Sequence, residues 1–70
     1  MKASQKNAYR KMFSVYPDVM DVEQMSRALG VSVKTGYKIL KEGEIKSVKV
    51  GRAYKIPKIR VIEFLLEISD

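Results

Sequence analysis

Lys34, Lys38 and Lys41 recur at i, i+4 and i+7, and Lys49, Arg52 and Lys55 follow within an alternating apolar and basic run. On a helix the first spacing lines the ammonium groups along one side, where like charges repel by about 0.2–0.5 kcal/mol per pair. A bound polyanion relieves that repulsion. Guanidinium groups grip phosphate through paired donors and ammonium groups act as point charges, so the chemistry implied is recognition of phosphate. Bond-breaking chemistry has little to work with. Cys and His are absent, which removes the usual nucleophile, the side chain suited to proton transfer near neutral pH, and any Cys/His zinc site. Glu42 and Glu44 flank a helix end with no second constellation beside them, so neither an enzyme nor a cofactor is expected.

The charge is segregated along the chain. Net charge is +6 over 70 residues, while residues 32–60 hold nine Lys and Arg against two Glu, a local +7 that leaves the rest at −1. This concentration is the electrostatic footprint of phosphate binding, against the plainer reading of a solvated basic surface. The length allows one small domain whose stability rests on a well-filled core, since no disulfide can form. No apolar run approaches a membrane span and the N-terminus lacks a secretory stretch, so a soluble, cytoplasmic chain is expected.

Three helical segments are legible before the alternating run is reached. Residues 1–6 are polar and are expected to fray; Tyr9, Met12, Phe13 and Tyr16 then form an amphipathic stripe that Pro17 should end. Asp21 and Gln24 have the spacing of a capping box for a helix from Val22 to about Leu29, with Val22, Met25, Ala28 and Leu29 apolar and Gly30 as its left-handed stop. Ser32 reads as the N-cap of a helix over Val33–Glu42 ending at Gly43, with Ile39 and Leu40 facing the core. The short connection between them is that of a helix-turn-helix. Gly36 in mid-helix costs about 1 kcal/mol relative to Ala, and it is either tolerated or needed for close approach to the preceding helix or to DNA.

The run Val48–Pro57 reads as a hairpin. A three-residue loop, Gly51-Arg52-Ala53, pairs Val50 with Tyr54 and Val48 with Ile56, giving one apolar face for the core and an outer face with Lys49 opposite Lys55. A two-residue loop would divide the apolar residues between faces, so the longer loop is expected, with Arg52 at the tip. Pro57 suits the first turn of a final helix to about Ile68. Ile59, Ile62, Leu65 and Leu66 form its stripe, and Val61, Phe64 and Ile68 widen it; the N-terminal helix is the expected cover, a dimer contact the alternative.

Helix, tight turn, basic helix and basic hairpin are the parts that put one element into a DNA groove and another onto the backbone beside it. From Asp21 to about Leu66 the chain resembles the excisionase-type helix-turn-helix family, small winged-helix proteins related to the DNA-binding domain of MerR regulators. The resemblance rests on residues 22–32, on Thr35, on residues 37–45 and on residues 48–57, in that order and spacing. Val33 and Gly36 depart from the family pattern, where a polar or basic residue and a buried aliphatic are usual. The fold class implied is α+β, mostly α: a winged helix-turn-helix over residues 21–68 with a two-stranded wing, behind an N-terminal helical extension over residues 1–20. The function implied is that of a recombination directionality factor, which binds and bends attachment-site DNA so that a tyrosine recombinase excises a phage or conjugative transposon.

In that frame Lys34 and Thr35, in the first turn of the second helix, are expected to read base edges, with capping beside Ser32 as the alternative for Thr35. Lys38 and Lys41 are expected on phosphates, and Ser32 with the helix N-terminus on a further one. Tyr37 offers a hydroxyl to phosphate or packs; Tyr54 is expected in the core. Arg52 is expected in a narrow minor groove or on phosphate, flanked by Lys49 and Lys55. Arg27 on the first helix and Lys46 at the start of the wing are weaker candidates for such contacts, with solvated surface the favoured reading. The partners expected are double-stranded DNA, a tyrosine recombinase and further copies of the chain, without membrane or small-molecule ligand. A compact chain without an effector region favours this reading over a transcription regulator of the same fold, and a protein-interaction module built on the final helix is the reading from another class.

Overall fold

The computed structural model describes residues 3–68. In chain order these form α1 (Ala3–Met12), β1 (Val19–Met20), α2 (Val22–Leu29), α3 (Val33–Lys41), β2 (Val48–Val50), β3 (Ala53–Pro57) and α4 (Lys58–Ile68). The architecture is α+β and mostly helical, a helix-turn-helix with a wing. The wing is broader than a hairpin, because β1 pairs antiparallel with β3 and gives a three-stranded sheet of order β1-β3-β2.

Local chemistry explains the helix boundaries of the central pair. Asp21 accepts from the Gln24 backbone N–H at 2.8 Å while the Gln24 side chain accepts from the Asp21 N–H at 3.0 Å, closing the capping box. At the other end Gly30 adopts φ 73° and its N–H reaches back to the carbonyls of Arg27 and Ser26. Ser32 caps α3 through the Thr35 N–H. All three boundaries agree with the sequence expectation.

Gly36 is buried where α2 and α3 meet. A Cβ at this position would overlap Ser26 Oγ and lie 3.3 Å from Met25 Cε, so close approach of the preceding helix requires the glycine. The core below is built from Met20, Met25, Ile56, Val61 and Ile62, none more than 1% exposed, and is closed by Phe13, Val22, Ile39, Leu40, Ile45 and Leu66. It therefore draws on the sheet, on α2, α3 and α4, and on Phe13 just past the end of α1.

The first helix differs from expectation at both ends. It begins at Ala3, within the stretch expected to fray, and stops at Met12, five residues ahead of Pro17. The chain turns early because Phe13 dives into the core and Lys58 Nζ donates to the carbonyls of Phe13 and Tyr16 at 3.4 and 3.0 Å, satisfying acceptors that a continuing helix would have used. Met12 is consequently 65% exposed, off the buried stripe, while Tyr9 and Tyr16 pack against the core around Phe13. Helix α1 does lie on α4, as expected.

The hairpin corrects the expected register. Val48 pairs with Lys55, Lys49 with Tyr54 and Val50 with Ala53, which leaves a two-residue loop, Gly51-Arg52, in place of the three-residue one. Gly51 has φ 61° and Arg52 does not have positive φ, the pattern of a type II′ turn with glycine at its first central position. Turn chemistry outweighs face segregation here because none of the described residues covers β2: Val48 and Val50 are 61% and 60% exposed, so no apolar face had to be kept together. Lys49 and Lys55 consequently lie on opposite faces. Pro57 closes β3 one residue before α4, and its neighbour Lys58 donates its N–H to the Asp18 carbonyl at 2.7 Å.

Candidate nucleic-acid interface

The buried side of α3 carries Gly36, Ile39 and Leu40, and this fixes the rotation of the helix. Lys34, Thr35, Lys38 and Lys41 are thereby turned to solvent and line one concave stretch of surface together with Tyr37 and Glu42. The spacing read from the sequence has become a continuous cationic face.

Ser32 and Thr35 are committed to each other before any ligand arrives. The Ser32 hydroxyl accepts from the Thr35 N–H at 3.2 Å and donates to Thr35 Oγ1 at 3.1 Å. Capping therefore takes up one lone pair of the Thr35 hydroxyl and leaves its proton and second lone pair on an exposed side chain. Both roles weighed for this residue are compatible with that arrangement.

The wing is joined to α3 through aromatic rings. Tyr37 and Tyr54 meet edge to face at 5.9 Å between centroids, and Lys49 Nζ sits 5.3 Å from the Tyr54 centroid. Tyr54 is half-buried against the core, and Tyr37 is 41% exposed. Tyr37 also lines a second concavity shared with Arg52, Tyr54 and Lys55, which Asp21 and Glu23 line as well. The α3 face and the wing are thus one surface with Tyr37 at the joint. Lys49 is held on the Tyr54 side of the sheet, Arg52 stands exposed in the turn, and Lys55 points from the other side.

Sequence reasoning missed the outer face of the sheet. Residues directly opposite across a ladder share a face, so Val48, Val50, Ala53 and Lys55 lie together, and Val19 and Pro57 continue the same side. The signal available was Gly51 followed by a non-glycine residue, which fits a type II′ turn and hence the shorter loop. Among the other cations of the basic segment, Lys58 is taken up in holding α1, with its side chain 16% exposed, and Arg60 pairs with Glu63 at 3.1 Å.

No curated protein and no solved structure matches the chain. A family model described as a helix-turn-helix domain matches residues 19–69, from β1 past the end of α4. With the paired helices α2 and α3 and a cationic outer face on the second, the chain belongs to this helix-turn-helix domain family of DNA-binding modules.

Proposed function

We propose that this protein is an excisionase-type recombination directionality factor, which binds and bends attachment-site DNA and thereby helps a tyrosine recombinase excise a mobile element. The observation that carries the reading is the cationic face of Lys34, Thr35, Lys38 and Lys41 on α3, beside a second concavity that Arg52 and Lys55 of the wing line and that shares Tyr37 with it. With α3 in a major groove, the first turn brings Lys34 and Thr35 to base edges, Lys38 and Lys41 to phosphates, and the wing to the adjacent backbone or minor groove. The order and spacing of residues 21–66 support the finer assignment through their resemblance to excisionases.

A transcription regulator of the same fold would use the same surface, so the test must read more than binding. Footprinting on the ends of the element that encodes the chain should reveal phased, repeated sites, with circular-permutation gels showing bending and added protein raising recombinase-dependent excision. Binding at a promoter with no effect on excision would assign the regulator instead. Lys34→Gln and Arg52→Gln should each weaken binding and flatten its salt dependence; unchanged affinity in both would remove the groove-docking model.

A further inference from the structure

One exposed side chain at the start of α3 can take no part in phosphate recognition. Val33 is the first residue of the helix, directly after the Ser32 cap, and stands 42% exposed. Val33 and Tyr37 are four residues apart, so they lie one above the other on the flank of α3 from which Tyr37 meets Tyr54 of the wing. Lys34, Lys38 and Lys41 form the row beside them. Thr35 lies about 200° further round the helix, on the far side of that row. The first turn therefore carries a cation with a branched apolar side chain on one side of it and a hydroxyl on the other.

A lone exposed valine is ordinary on a protein surface. This one stands where the first turn meets base edges when α3 docks in a major groove. Val33 has neither donor nor acceptor, so against a purine N7, a carbonyl or an exocyclic amine it would displace water without replacing the hydrogen bonds. The major-groove edges of the four bases offer one apolar group, the C5 methyl of thymine.

We propose that Val33 is a specificity-determining residue that reads a thymine, its γ-methyl groups packing on the C5 methyl of one base in the recognised site. This assignment rests on the groove-docking reading and adds to it the identity of a base that phosphate contacts do not select. Deoxyuridine pairs as thymine does and lacks only that methyl, so the contact can be removed from the DNA side without touching the fold.

The probe is a one-site duplex that the wild-type chain selects from a random pool, with each thymine in turn replaced by deoxyuridine. At one position the wild type should bind about fourfold more weakly, the worth of one buried methyl-sized group, with an unchanged salt slope because no phosphate contact is lost. Val33→Ala suits a helix and removes the branched methyls, and it should bind the thymine and deoxyuridine duplexes alike at that position. Val33→Thr keeps one γ-methyl and should retain part of the discrimination. Circular dichroism checks that both variants remain folded.

A wild type that binds the duplex and is indifferent to every deoxyuridine would overturn the inference and leave the DNA-binding reading standing. Equal losses in the wild type and in Val33→Ala would also overturn it, because another side chain or the shape of the groove would then be reading the methyl. A wild-type chain that selects no duplex from the pool would overturn both.

Discussion

At the scale of single residues, the tightest point in the molecule is Gly36 against Ser26. Ser26 Oγ is buried without a hydrogen-bond partner, and the space a Cβ at position 36 would need is the space this oxygen occupies. Gly36→Ala gains about 1 kcal/mol of helix propensity but overpacks a buried contact, which costs about 1–3 kcal/mol, so a net loss of stability is expected. Ser26→Ala removes an unsatisfied hydroxyl and should be neutral or stabilising by up to about 1 kcal/mol. The informative variant is the double one. Removing the oxygen relieves the overlap, so Ser26→Ala should rescue Gly36→Ala by more than it stabilises the wild type, a coupling that urea midpoints of the four proteins would measure. Equal effects of Ser26→Ala in both backgrounds would mean that the helices separate freely. The sequence exposed Gly36 as anomalous but left its neighbour open, because which helix approaches it depends on tertiary packing.

At the scale of elements, the legible features were those whose cause lies within a few residues. The capping box of Asp21 and Gln24, the left-handed Gly30 and the Ser32 cap each join groups at most four residues apart, and each stands where expected. What escaped was non-local. β1 is only two residues long and becomes a strand by pairing with Ile56 and Pro57, and α1 stops where it does because Lys58 captures carbonyls over 40 residues away. The hairpin register was misread from the assumption that its valines seek the core, when no element among the described residues lies over them. Two stability predictions follow from these causes. Gly51→Ala places a side chain at φ 61° and should cost about 1 kcal/mol, read as a lower urea midpoint together with weaker DNA binding as the wing loosens. Lys58→Met keeps the buried stem but loses both carbonyl contacts, and should lower stability by about 1–3 kcal/mol while leaving the DNA salt slope unchanged, since this ammonium is turned inward.

At the scale of the whole molecule, net charge and its placement make different predictions. A generic basic protein would lose DNA affinity for every cation removed, in proportion to number alone. The fold instead gathers Lys34, Lys38 and Lys41 on the solvent side of α3, with Arg52 and Lys55 beside them on the wing, while Arg10 and Lys11 sit on α1. If the five side chains of the α3 and wing surface each neutralise one phosphate, log K should fall against log salt with a slope of roughly −4 to −5. Replacing Lys34, Lys38 and Lys41 together by Gln should bring the slope to about −2, since three phosphates would no longer be paired. Replacing Arg10 and Lys11 by Gln lowers the net charge by two and should leave the slope within error, because long-range attraction beyond about 10 Å is screened at ordinary ionic strength. Equal flattening per charge in the two variants would show that total charge, and not the face built by α3 and the wing, drives binding; slopes that separate would place the phosphates on that face.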